Sequence, residues 1–438
     1  MPAIEERSAS PAPARPSARL LWRCAVLFVA FNVIKHGLIL PLVTPGVDFG
    51  KHWLAARAVL EGRSVYVGEE LYLGFNYPQW SALVTFWLGW LSRGAAEIVW
   101  KLMMLASLVG AWWIATRLMR PGAAGGEAAR EVSASRAAAA RAVTRHWPLS
   151  VAVALTAFSP AGASALKEGN IQPSNVLLVV ATAAAAAAGR ERPAGVLWAM
   201  LCLIKMIPAA LLLPVLLWRK RRMLEGFLAF MALYALALTA TRRWGEEWWM
   251  LTEMLDDVPF RWRSISHSAS RFILLFAAPE GWHEDARMYL AVTRATTIAL
   301  GGVFVAMTID LHRRGRSFES GLEFGLLFLP LLSPLLESHH AAWALPAMFW
   351  QMGRWARGEM SGGLAAAYAA GWGALSAEYF LTNFDRYFGD WVFFTPLGAI
   401  AWLVGCNYVE LLGQRPDRST PSCRRGNPVG MSQFQPRV

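Results

Sequence analysis

The amino-acid sequence predicts an all-α polytopic membrane protein, a single bundle of about 10–12 transmembrane or membrane-embedded helices. Three observations predict it. First, 55% of the 438 residues are hydrophobic and 16% are charged, whereas soluble domains carry about 25% charge. Second, apolar runs approaching the roughly 20 residues that cross a bilayer recur along the chain. Third, the basic residues behind the net charge of +12 gather in short segments between those runs, as expected where Lys and Arg are retained on the cytoplasmic side. Nucleic-acid binding would need a clustered basic soluble domain, and no such stretch is present.

Residues 1–19, rich in Ala, Pro, Ser and mixed charge, are expected to form a disordered cytoplasmic tail. The first apolar run has no clear small-residue cleavage site and reads as a retained span. Spans are predicted at 20–42, 96–118, 147–166, 171–188, 223–241, 286–309, 321–336, 341–352, 363–380 and 391–412. Residues 20–412 would form one membrane-embedded domain, with a flexible Ala/Gly/Arg-rich cytoplasmic loop at 121–146 and a second tail at 413–438. Cys24, Cys202 and Cys406 sit in apolar segments and Cys423 in the polar tail, so no spacing points to a metal site or a disulfide framework.

Two apolar stretches are not read as simple spans. Residues 77–91 are short and begin with Tyr77-Pro78, and residues 194–218 contain Lys205, Pro208 and Pro214. Proline breaks or kinks a helix, so 194–218 is predicted to be a hairpin of two short helices. If 77–91 also dips in and returns, the basic segments at 15–23, 117–145, 190–192, 219–222, 313–316, 354–357 and 415–425 all fall on one side. Both termini are then cytoplasmic. Segments 43–76, 167–173, 242–285, 333–340 and 377–390 face outward. Arg242 and Arg243 run against this rule, but Glu246 and Glu247 follow them closely.

Four outward segments hold residues suited to chemistry. Asp48 lies just after the first span, ahead of the run 51–62, which could lie along the bilayer surface. Asp48 is either a helix N-cap or a reactive carboxylate, and Lys51 follows one turn later. Ser333-Pro334 interrupts an apolar run ahead of His339 and His340, whose imidazoles can hydrogen-bond and carry positive charge. They are either an interfacial polar pair or a phosphate contact. Residues 167–175 form a polar turn with Asn170, Gln172 and Asn175, ordinary hairpin punctuation or amides for sugar hydroxyls. The loop 242–271 mixes four Trp with carboxylates, His267 and Arg271, an aromatic belt or a surface for sugar stacking and phosphate pairing. No Gly-rich phosphate loop, zinc-protease motif or nucleophile elbow occurs.

Taken in order, these segments resemble glycosyltransferase family 87. The resemblance is carried by Asp48-Phe49 with residues 55–62, Tyr66, Tyr77-Pro78, Gly169-Asn170-Ile171-Gln172 before Asn175, Ile204-Lys205-Met206-Ile207-Pro208, and Ser333-Pro334 with Ser338-His339-His340. It implies a GT-C type helical fold, a polyprenyl-phosphate sugar donor (usually mannose), a lipid or glycan acceptor, membrane lipids as surroundings, and inversion at the anomeric carbon. It also implies Asp48 as general base and His339 and His340 near the donor phosphate. Arg271 and Lys51 are further phosphate candidates, and Asn170, Gln172, Asn175, His267 and Tyr77 are candidates for sugar or acceptor. The chain departs from the common pattern at Lys51, Gln79 and Glu337. An aspartate's ordinary pKa of about 4 makes it a weak base toward an alcohol, so the proton would move late, in the transition state. Asp48, Glu337, His339 and His340 are also metal-ligand types, but the scheme needs no metal or cofactor and involves no nucleic acid. The alternative is a lipid or sugar transporter or flippase, since broken helices and an intramembrane lysine suit transport.

Overall fold

The structure is a computed structural model that describes residues 46–66, 77–118, 169–254, 268–277, 285–334, 343–356, 360–381 and 394–414. The expected tails, the spans at 20–42 and 147–166 and the loop at 121–146 lie outside the described residues. The chain begins with α1 (Val47–Leu60), α2 (Gln79–Thr85) with a 3-10 segment at Phe86–Trp90, and α3 (Arg93–Leu118). There follow α4 (Gln172–Ala187), α5 (Glu191–Cys202), a 3-10 segment at Ile207–Leu211, α6 (Leu212–Leu217), α7 (Arg221–Thr241) and α8 (Trp244–Trp249). The remainder is α9 (Ala269–Ala277), α10 (Ala286–Arg313), α11 (Phe318–Phe328) with a 3-10 extension at Leu329–Leu332, α12 (Leu345–Ala356), α13 (Gly362–Leu381) and α14 (Thr395–Gly413). Every regular element among the described residues is helical, which bears out the all-α membrane fold.

Among the described residues, four helices, α3, α7, α10 and α14, are long and apolar enough to cross a membrane. Their outward faces carry Leu236 at 66%, Ile298 at 74% and Val409 at 65% exposure. Rows of exposed apolar side chains at such levels call for lipid as their solvent. Local chemistry sets the helix ends. Asp285 accepts from the backbone N–H groups of Arg287 and Met288 to start α10, and Ser317 accepts from that of Ser320 to start α11. Pro173 and Pro396 sit in the first turns of α4 and α14, where a missing N–H costs no helical bond.

Residues 194–218 fold as two short helices, as predicted. Helix α5 ends at Cys202, and Pro208 prevents an α-helix from running on. The second limb turns back so that the Trp198 indole donates to the Pro208 carbonyl at 2.9 Å. Gly195 of α5 and Gly226 of α7 lie against the other helix's backbone, where a Cβ on either would collide. Small residues of this kind let membrane helices approach closely. Segment 77–91 likewise returns to its starting point. The Tyr77 ring packs against His52 of α1, and the Leu91 carbonyl accepts from Trp53 of the same helix at 3.2 Å.

Among the described residues, the basic segments at 190–192, 219–222 and 313–316 meet at one end of the bundle. Arg192 pairs with Glu225 and Lys220 with Glu191, at 2.8 and 3.0 Å. The Trp218 indole donates to the Arg316 carbonyl at 2.7 Å, and the Arg316 guanidinium donates to the carbonyls of Leu412 and Gln414 as α14 ends. An arginine there satisfies helix-end carbonyls that have no partner within the helix. Deeper in the same region, Arg354 of α12 makes a two-pronged contact with Glu323 of α11 (2.7 and 2.8 Å) and a second with Glu410 of α14 (2.8 and 3.0 Å). Tyr368 of α13 donates to Glu410 at 2.7 Å and Asn407 to Glu323 at 2.8 Å. One guanidinium thus ties three helices together, and Tyr368 joins α13 to them through Glu410.

Removing one member of a buried ion pair strands the other's charge, at about 3–5 kcal/mol. Arg354→Leu is therefore expected to lower the thermal unfolding midpoint of the detergent-solubilised protein by more than any exposed Arg→Leu change. Arg354→Lys should recover part of the loss, since lysine cannot reproduce the fork geometry. A wild-type midpoint for Arg354→Leu would remove this tie from the account of the fold.

Candidate active site

Opposite the basic end, α1 presents Asp48. The helix begins at Val47, with Gly46 as N-cap and no side-chain capping bond, so Asp48 is not the cap. The Gly46 N–H instead donates to Glu97 of α3 at 2.6 Å, and Glu97 also holds Lys101 at 2.6 Å. The apolar side of α1, including Phe49, Ala55, Ala56 and Ala58, is buried against α2, α3 and their connection. The helix expected along the bilayer surface is thus packed into the protein on that side, while Arg57 and Glu61 remain exposed.

Two donors among the described residues hold Asp48. Its Oδ1 takes the Lys51 ammonium at 2.9 Å, and its Oδ2 takes the Asn170 amide at 2.8 Å, from a turn 122 residues away. The Asn170 Oδ1 accepts the Gln172 N–H at 2.9 Å, which leaves the NH2 end of the amide to face the carboxylate. The turn itself depends on Gly169, at φ +69°, where a Cβ would overlap Phe49. Only glycine takes that backbone region without strain. The Gly169 carbonyl accepts from the Trp100 indole at 2.7 Å. The Asp48 side chain remains 24% exposed, so a carboxylate oriented by two donors still meets the surroundings. Such a group can accept a proton from an incoming hydroxyl.

Behind Asp48, one helical turn on, His52 is fully buried between the rings of Tyr77 and Trp100, with centroids 4.8 and 4.9 Å away. Burial pushes its pKa down to about 4, against the pull of Asp48 and with the repulsion of Lys51 and Lys205. The Lys205 ammonium stands 5.4 Å from the Tyr77 ring centroid. A second group of contacts clasps the segments around Ser64, Gln79 and Arg243. Ser64 Oγ donates to Glu246 at 3.0 Å, and Arg243 reaches Glu246 at 3.3 Å and the Arg63 carbonyl at 3.1 Å. The Gln79 N–H donates to Glu247 at 3.1 Å, a bond proline could not make, and its side-chain amide donates to the Arg243 carbonyl at 3.1 Å. Burial holds the Glu247 carboxyl above the usual range, and the Gln79 N–H and the Tyr234 hydroxyl work against it. Arg243, which ran against the charge rule, is thus matched by a carboxylate that follows it.

Of the residues singled out from sequence, Asp48, Lys51, Asn170 and Tyr77 come together. Gln172 and Asn175 are buried beneath them, joined by a 3.0 Å bond, and shape the turn that carries Asn170. Arg271 lies on α9, buried near Tyr289 of α10 and 6.0 Å from the Phe394 ring. His267, His339 and His340 lie outside the described residues. Sequence reasoning missed His52, Trp100 and the placement of Lys205. The signal for His52 was its four-residue spacing from Asp48, which puts both on one helix face.

His52 sets a pH dependence. Unfolded, its imidazole titrates near 6.5; folded, near 4. Between those values the unfolded chain binds the extra proton, so this contribution to stability is complete above pH 6.5 and declines toward pH 4, by about 1.4 kcal/mol per unit. Unfolding midpoints measured from pH 7.5 to 4.5 should fall more steeply in the wild type than in His52→Phe, which keeps the ring stack without the titration. Parallel curves would overturn the assignment.

Comparison with known proteins bears on this geometry. The model of the family described as Glycosyltransferase family 87 matches residues 75–334, more than half of the chain. The match takes in Tyr77, Asn170 and Lys205, and it begins after Asp48 and ends before His339. No curated protein and no solved structure matches the chain.

Proposed function

The chain belongs to glycosyltransferase family 87, a GT-C type family, and is a membrane glycosyltransferase; from that premise we propose that it moves a hexose, mannose foremost, from a polyprenyl-phosphate donor to a lipid or glycan acceptor, with inversion. The observation that carries this reading is the Asp48 carboxylate, fixed by Asn170 and Lys51 and open on one side. In the proposed reaction the acceptor hydroxyl attacks the anomeric carbon, Asp48 takes its proton, and the bond from that carbon to the phosphate oxygen breaks. The phosphate leaves with the electron pair. Cations aimed at the leaving oxygen lower the barrier because charge grows there as the bond breaks. Lys51, His339 and His340 are proposed for that task, and Arg271 is a further candidate. Asn170, Tyr77 and His267 are proposed to contact the sugar or acceptor. Asn170 depends on Gln172 and Asn175 for its orientation.

We place the enzyme in the cell membrane with both termini cytoplasmic and the active site on the extracytoplasmic side. The separation of the two ends of the bundle supports this. Arg192, Lys220, Arg316 and Arg354 make their contacts at one end, and Asp48, Asn170 and Gln79 at the other.

Purified protein in lipid nanodiscs, given polyprenyl-phosphate mannose and a panel of lipid acceptors, should form a covalent mannosylated product. Asp48→Asn should lower kcat by about 10²–10⁴-fold, the usual contribution of a positioned general base. Full activity of Asp48→Asn would reject this residue as the base. Movement of lipid across the bilayer without covalent change would favour a flippase instead.

A further inference from the structure

We propose that the outward side of α1, together with the arginine that opens α3, binds the headgroup of an anionic phospholipid in the leaflet at the Asp48 end of the bundle. Arg93 holds the lipid phosphate, and Trp90 stands beside it at the membrane surface. The inference does not depend on the transferase reading.

The chain from 89 to 97 runs antiparallel to α1 and is pressed against it along its length. A Cβ on Gly89 would lie 3.0 Å from the Arg57 nitrogen, so the two backbones touch there. The Leu91 carbonyl takes the Trp53 indole at 3.2 Å. The Arg93 guanidinium lies 3.3 Å from where a Cβ on Gly50 would stand, in room that glycine leaves open. Glu97 takes the Gly46 N–H at 2.6 Å. Positions 46, 50, 53 and 57 share one side of α1, because helix residues three and four apart are neighbours. Asp48, two residues from Gly50, falls on the opposite side, since each residue turns the helix by about 100°. On the outward side the Arg57 guanidinium stands 5.4 Å from the Trp53 ring centroid, and Arg57 is exposed.

Charge and depth identify the ligand. Arg57 and Arg63 share the Glu61 carboxylate, at 3.0 and 2.7 Å. Arg93 is exposed and pairs with no carboxylate among the described residues. The acid one turn along α3, Glu97, is occupied by Lys101 at 2.6 Å and by the Gly46 N–H. Lysine and arginine are otherwise held at the cytoplasmic end of a membrane protein, so an exposed, unmatched guanidinium at the Asp48 end calls for an anion. Its planar fork fits phosphate oxygens. The apolar row by which α3 faces lipid starts at Ile98, 50% exposed, and continues through Leu102 and Val109. Arg93 lies five residues before Ile98, about 7.5 Å further along the axis, which is headgroup level above the hydrocarbon. Trp90, 68% exposed, sits at the same boundary, where tryptophan is enriched. The bland alternative is a solvated arginine, which would make no distinction among lipids. With a lipid bound, α1 rests on headgroups by one side and presents Asp48 from the other.

The test is equilibrium binding of short-chain phosphatidylglycerol, kept below its micelle-forming concentration, to the full-length protein in neutral detergent. Short-chain phosphatidylcholine and inorganic phosphate are titrated in separate measurements. Loss of one arginine from an anionic-lipid contact predicts at least about fivefold weaker phosphatidylglycerol binding by Arg93→Gln, with partial recovery in Arg93→Lys. Phosphatidylcholine, whose choline offsets the phosphate charge, should bind the wild type more weakly than phosphatidylglycerol and respond less to the substitution. Inorganic phosphate at equal concentration should not displace phosphatidylglycerol, since it offers nothing to the apolar rim at Trp90. Thermal unfolding of Arg93→Gln should match the wild type, and Arg93→Met serves as the neutral variant if the Gln protein is unstable. Phosphatidylglycerol binding by the neutral variant within about twofold of wild type would overturn the proposal. Equal affinity of the wild type for the two lipids would do the same, and so would displacement by inorganic phosphate, which would mark a general anion site.

Discussion

Asp48 keeps its place through donors that its own segment of chain cannot supply. Lys51 is the single charged partner within reach along α1. The other oxygen is held by Asn170, whose amide is oriented because the Gln172 N–H already occupies its oxygen. The turn that bears Asn170 needs Gly169 in the left-handed region, pressed against Phe49, and the Trp100 indole on its carbonyl. Glu97, on the same helix as Trp100, fixes the first N–H of α1. The Asp48 carboxylate is thus positioned from two helices and a distant turn at once. Orientation of this kind lowers a barrier without any further movement at the moment of reaction.

The bundle divides its polar chemistry between two ends. At one end, arginines and lysines pair with carboxylates or take up helix-terminal carbonyls, and the Arg354 contacts bind three helices. At the other end, polar groups are arranged around Asp48 and His52. Between them the walls are apolar, and the outward faces carry leucine, isoleucine and valine toward lipid. A neutral His52 suits this arrangement, because a charged imidazole buried between two aromatic rings would have to be compensated in a space that offers no water.

Two departures from the common pattern of family 87 find physical accounts here. At Gln79, the backbone N–H and the side-chain amide both tie the segment after Tyr77 to α8 through Glu247 and the Arg243 carbonyl. A proline would lack the first bond. At position 51 the lysine pairs with Asp48 directly, which couples that carboxylate to a cation on its own helix. Both differences adjust how the outer segments are held together and leave the helical frame unchanged.

Hydropathy and charge placement alone determined that the chain is a helical membrane protein, that 194–218 is a broken hairpin, and that the basic segments at 190–192, 219–222 and 313–316 share one end. Those properties depend on the solvent each side chain requires, and the local sequence records that requirement. The carboxylate at Asp48 and the polar turn at 169–175 were visible as separate motifs for the same reason. What the tertiary structure alone decided is which of these motifs meet. The Asn170–Asp48 bond, the His52 stack between Tyr77 and Trp100, the Lys205 ammonium beside Tyr77 and the Arg354 tie all join residues far apart in sequence or buried by helices from elsewhere. Such contacts arise from helix packing, and no local pattern of hydrophobicity or charge encodes the identity of a partner on another helix.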